Sequence, residues 1–152
     1  MSGNPTPADG PQDTGQTLAD VFGMNVITGA TRAQLLADGF LIAVPEQLLA
    51  DAGILLPTAL TAAAWADCVE WSDADSDAQT PQDETGRLFD VLITTAYAAR
   101  TSKFPTRQVT VELYRIPRDG ISNIPRPARL TAVCGPGDNA EPVLTIMRPD
   151  ED

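Results

Sequence analysis

At Arg107 the hydrophobic period of this chain changes from helical to two, which sorts it into a mainly helical part followed by a sheet. Gln108-Val109-Thr110-Val111-Glu112-Leu113 alternates polar and apolar side chains, the pattern of a strand with one face in water. Ala128 to Cys134 and Pro142 to Met147 read as two further strands, joined into a hairpin by the loop Gly135 to Glu141. Ahead of the change, Leu60, Ala64, Cys68 and Trp71 fall on one face of a helix expected from Thr58 to Trp71. Leu88, Leu92, Thr95 and Ala99 form the stripe of a second long helix that follows Thr80-Pro81. The expectation is an α+β fold, with several helices packed on one face of a small, about three-stranded antiparallel sheet formed mainly by the C-terminal third.

The stretch before Thr58 supports shorter elements. Thr31 and Gln34 have the spacing of a capping box, and Gly39 can end the helix they open. Phe40 to Val44 fits a brief buried strand, Pro45 to Ala52 a short helix stopped at Gly53, and Ile54 to Leu56 an extended entry into the core. Residues 1–17 hold almost nothing to bury and are expected to be a disordered tail, residues 18–148 one α+β domain, and residues 149–152 an acidic tail. No apolar run approaches the roughly 20 residues that span a bilayer, and the first residues lack the pattern of a secretory signal. A cytoplasmic protein without a membrane partner is expected, as a monomer or weak dimer.

Charge is distributed unevenly. Residues 1–86 hold thirteen acids against Arg32 alone, −12; residues 87–148 hold nine bases and five acids, +4; residues 149–152 add −3. Between the two long helices, Asp67, Glu70, Asp73, Asp75, Asp77, Asp83 and Glu84 lie in a segment without a basic residue. Read as a loop, that segment would present a negative surface to a protein partner, and a basic nucleic-acid-binding protein suits it best. Direct binding of nucleic acid is disfavoured by the same charge. Such an array can also imitate the phosphates of DNA.

Asp73, Asp75, Asp77 and Glu84 have the spacing of calcium ligands in a helix-loop-helix site, although Ala78 stands where a glycine normally permits the turn. The alternative to a partner surface is therefore a calcium-binding module. No other cofactor is expected. Histidine is absent, which excludes Ser-His-Asp and Cys-His chemistry within the chain. Catalysis would fall to carboxylates such as Asp90, expected to pair with Arg87, or Glu112 on the wet face of its strand; no enzyme is expected. Arg115, Arg118, Arg126 and Arg129 are expected to pair with the protein's own acids, and Gly135-Pro136-Gly137-Asp138 to form a hairpin loop rather than a phosphate cradle. Cys68 and Cys134 are expected to be buried thiols.

The strings GATRAQLLADGFLIAV, ALTAAAWADCVEW, QDETGRLFDVL, LYRIPRDG and AVCGPGDNAEPVLTIMRPDED together resemble the DUF6573-type family of small uncharacterised proteins from bacteria, phages and plasmids. The resemblance runs from about Val21 to Asp152. It implies a setting in mobile genetic elements and no particular chemistry. On this footing the expected role is that of a small acidic accessory protein of a mobile element acting by protein binding, with an anti-restriction or anti-CRISPR nucleic-acid mimic as its specific form.

Overall fold

Thr31 opens the first helix in the way its sequence requires. Its hydroxyl accepts from Gln34 N–H while the Gln34 side chain accepts from Thr31 N–H, which closes the capping box at the head of α1 (Arg32–Ala37). Gly39, at φ 81°, turns the chain out of the helix, and Phe40 N–H reaches back to the Leu35 carbonyl. The computed structural model describes residues 30–102 and 106–151. The expected N-terminal tail, residues 1–17, and the first residues of the expected domain, 18–29, lie outside them.

The next elements are β1 (Leu41–Ala43), α2 (Glu46–Ala52) and β2 (Thr58–Thr61). Between α2 and β2, Ile54 is buried but Leu55 is 97% exposed, so only part of the expected extended entry meets the core. The helix expected from Thr58 starts at Ala62 instead, as α3 (Ala62–Cys68), and the four residues before it form a fully buried strand. Pairing on both sides decides this: β2 lies antiparallel to β1 and parallel to β5 (Pro142–Met147). Thr61 closes the strand and caps the helix, its hydroxyl accepting from Ala64 N–H. Leu60 shares the helical spacing of Ala64 and Cys68 and reaches the same core from a strand.

The segment expected as an acidic loop contains a helix, α4 (Asp73–Ala78), capped by Ser72 and Asp75. The long helix α5 (Glu84–Thr101) starts later than Thr80-Pro81 suggests, because Asp83 is its cap and accepts from Gly86 N–H at 2.6 Å. Its buried face is Leu88, Val91, Leu92, Thr95 and Ala96; Ala99 is exposed. β3 (Gln108–Arg115), β4 (Arg126–Pro136) and β5 form the expected antiparallel meander.

The sheet is therefore five-stranded and mixed, in the order β1-β2-β5-β4-β3, and not three-stranded and antiparallel. The helices also occupy both faces rather than one. Leu60, Val111, Leu113, Leu130 and Ile146 join Leu88, Val91 and Leu92 of α5 and Ala64 and Cys68 of α3 in the main core. Leu41, Ala59 and Met147, of opposite strand phase, pack with Leu35 and Leu36 of α1. Pro149–Glu151 is a 3-10 turn whose Glu151 carboxylate accepts from the Thr61 hydroxyl at 2.6 Å and Arg148 N–H at 2.7 Å; Asp152 of the expected acidic tail lies outside the described residues.

Candidate functional site

The acidic segment is fastened to the fold by its own side chains. Trp71 is buried; its backbone N–H donates to Glu84 and its indole N–H to the Ser76 hydroxyl, which in turn donates to the Gln82 carbonyl. Gln79 holds the connection after β3, its amide donating to the carbonyls of Pro117 and Ser122 and accepting from Gly120 N–H.

At the centre sits Arg87, only 4% exposed. The spacing to Asp90 suggests an ion pair, but Arg87 turns inward instead: its guanidinium stacks over Trp71 at 4.5 Å and donates to the carbonyls of Val69 and Ile116, each at 3.0 Å. Two backbone carbonyls that no regular element satisfies take the place of the expected carboxylate. Asp90 is left exposed on the outer side of α5.

Most of the carboxylates expected to face a partner already have internal roles. Asp67 pairs with Arg115 at 2.8 Å. Glu70 and Asp75 pair with Arg118 at 2.9 and 2.6 Å, and the Arg118 hydrogen bond holds the Asp75 carboxyl below its usual pKa. Asp83 caps α5 and Glu84 accepts from Trp71. Asp73 and Asp77 alone of the seven make no hydrogen bond or ion pair with a described residue. The helix also spreads the calcium candidates, since alternate residues of α4 point about 200° apart around its axis. Among the described residues no group of three or more His, Cys, Asp or Glu is arranged to hold a metal ion.

Of the four arginines near the sheet connections, Arg115, Arg118 and Arg129 pair with acids; Glu112 is the partner of Arg129 at 2.9 Å, on an exposed strand face. Gly135 to Glu141 is the hairpin loop expected. Its Asp138 carboxylate accepts from Arg32 N–H and Ala33 N–H at the head of α1, and a side chain at Gly137 would collide with Glu141. Both cysteines are free thiols: Cys68 is buried and Cys134 half-buried. Burial first, and then the neighbouring Asp67 charge, push the Cys68 thiol up to about 12.

A different surface is left open. β3 is an edge strand with β4 as its one neighbour among the described residues. Cys134 N–H donates to the directly opposed Arg107 carbonyl at 2.7 Å. Antiparallel ladder bonds recur at every second residue, so Val109, Val111 and Leu113 bond to β4 while Gln108, Thr110, Glu112 and Tyr114 turn their backbone groups outward. At Gln108 both groups are met by the Thr106 hydroxyl, which donates to the carbonyl and accepts from the N–H. No described residue meets those of Thr110, Glu112 and Tyr114. Beside them runs a groove of about 430 Å³ walled by Thr94, Tyr97, Ala98 and Thr101 of α5. Tyr97 and Tyr114 are mostly exposed. Sequence reasoning placed no site on β3: the alternation of Gln108 to Leu113 marks a strand with one wet face, while its place at the edge and the groove beside it come from the strand order and the position of α5.

The model of a family of unknown function, DUF6573, matches residues 18–152. The chain belongs to that family. The match takes in α1 through the C-terminal turn, and so includes both the Arg87 cluster and the β3 edge. No curated protein and no solved structure matches the chain. Among the described residues no helix of this DUF6573 member is long and apolar enough to cross a membrane.

Proposed function

We propose that this DUF6573 member is a binding protein that takes an extended, basic segment of a protein partner along the free edge of β3. The observation that carries the reading is the outward row of backbone groups at Thr110, Glu112 and Tyr114, beside an open groove on α5. An added strand would satisfy those groups, and side chains of the incoming segment would alternate between the groove and the opposite face. Charge favours the partner at long range: the protein carries −11, although residues 87–148, which supply the groove and the β3 edge, hold nine bases and five acids. The bulk of the acidic segment serves this reading as a steering field, because five of its seven carboxylates are engaged internally.

In its narrower form the protein is a cytoplasmic accessory of a mobile element that occupies a nucleic-acid-binding protein of host defence. Exposed Asp73 and Asp77 and the overall charge support that form. A calcium role would require α4 to unwind, and a carboxylate enzyme would require a proton for Asp90 or Glu112 to move: Asp90 is exposed on the outer side of α5, and Glu112, which lines the groove, is held as an ion pair by Arg129.

The test uses octapeptides that alternate valine or threonine with lysine or arginine, titrated at low salt and followed by amide hydrogen exchange and backbone NMR. Binding is expected to slow exchange at Thr110, Glu112 and Tyr114 and to weaken as salt rises. Thr110→Pro removes an outward N–H without touching the β3–β4 ladder, and is expected to cost at least about tenfold in affinity. Unchanged binding to that variant, or no binding by any peptide of the set, would refute the proposal.

A further inference from the structure

Beside β1, the sheet edge opposite β3, a groove of about 640 Å³ runs from α1 to α2, walled by Leu36, Val44, Leu49, Leu55 and Leu56 among others. Its charged members offer no free buried group. The Arg32 guanidinium donates to the Thr145 hydroxyl at 2.8 Å and the Leu144 carbonyl at 3.1 Å, and Glu46 is exposed in the first turn of α2. The groove therefore suits an apolar, uncharged occupant. Two features show that the described residues leave it incompletely covered. α1 is a helix of six residues, too short to hold itself in water, yet none of its residues is buried. Leu55 is 97% exposed on the opposite wall, although Ile54 before it is buried.

The sequence directly ahead of α1 supplies such an occupant. Residues 1–17 hold no large apolar side chain beyond Met1, whereas Leu18, Val21, Phe22, Met24, Val26 and Ile27 follow in quick succession with Asp20 as their single charged neighbour. The family match begins at the same point, residue 18, rather than at the head of α1. Covalent attachment keeps these side chains near. Ile27 precedes the groove-lining Arg32 by a stretch that spans at most about 18 Å. A segment so attached acts at an effective concentration on the order of millimolar, well above that of a second copy or a foreign peptide in dilute solution. We propose that this groove is the docking site of residues 18–27 of the same chain, which cover Leu36 and Leu55 and complete the α1–α2 end of the fold. The groove and the β3 edge lie at opposite ends of the sheet, and occupation of one does not depend on the partner proposed for the other.

The test uses the full chain labelled at its leucine, isoleucine and valine methyls. NOEs are expected from the methyls of Val21, Val26 and Ile27 to those of Leu36 and Leu55. They are expected to vanish when isotope filtering of a mixture of labelled and unlabelled chains selects contacts between molecules. Leu55→Ser reads the same docking through stability: at a side chain open to water it would be neutral, and under the segment it lowers the thermal midpoint by at least about 3 °C. Phe22→Ser is expected to do the same, and the double variant to lose less than the sum of the two, because both changes break one contact surface. Absence of those NOEs, NOEs found only between molecules, unchanged midpoints in the single variants, or strictly additive losses in the double variant would overturn the proposal; the second of these would give the groove to a second copy of the chain.

Discussion

Arg87 illustrates how one side chain can hold a whole connection in place. Its guanidinium is the donor for two carbonyls, Val69 at the end of α3 and Ile116 at the end of β3, that neither a helix nor a ladder satisfies. Arg87→Ala leaves both unpaired and removes the face that covers Trp71, and is expected to cost about 3 kcal/mol in urea unfolding. Arg87→Lys keeps the charge but not the planar fork, and should recover less than half of that loss. Asp119 acts at the same scale through pH. The Ser122 hydroxyl first, then the N–H groups of Ser122 and Ile121, hold its carboxyl at about 2. Its folded pKa is thus below its unfolded one, near 3.9. The contribution to stability is complete above about pH 4 and is lost as pH falls toward 2. Asp119→Asn should flatten that part of the pH dependence, read as unfolding midpoints at successive pH values.

Helix α4 turns a run of charges into a structural element. Asp75 accepts from Ser72 and pairs with Arg118, whereas Asp73 and Asp77 have no described partner. Asp75→Asn is therefore expected to lower the thermal midpoint measurably, and the double variant Asp73→Asn, Asp77→Asn to leave it unchanged; calorimetry separates the two. The sequence already contained the cap, Ser72 followed three residues later by Asp75, but alternate aspartates invite a loop reading because they are poor helix formers. The same competition explains β2. All four residues of β2 are buried, so no alternation marks them as a strand, and Leu60 sits by coincidence on the helical stripe of Ala64 and Cys68, so the alanine-rich helix absorbs it. The α1 capping box, the hairpin and the β3–β4–β5 meander were legible because each is local. Arg87 was not: an arginine and an aspartate three apart on a helix suggest a surface pair, and the carbonyls that claim Arg87 come from 18 and 29 residues away. The β3 edge was not named either: its alternation shows a strand, but which strand lies outermost is set by the order of all five, and the groove beside it by where α5 crosses the sheet.

At the scale of the molecule, the sheet joins two ribbons. β1 and β2 pair with each other, β3 and β4 pair with each other, and β5 lies between β2 and β4. A ribosome releases this chain in that order, so both ribbons emerge before the strand that unites them. Until Pro142–Met147 is free of the exit tunnel, β2 and β4 each offer an unpaired side, and the apolar side chains of Leu60 and Leu130 have no common core. Ribosome-bound chains whose last residue outside the tunnel is Pro136 are expected to be sensitive to protease and those exposed through Glu151 resistant, with the change falling over a few residues rather than gradually. Protection on ribosome-bound chains of increasing length would check this. Of the five strands the central one comes last in sequence, so the two ribbons become one sheet only when β5 takes its place between them.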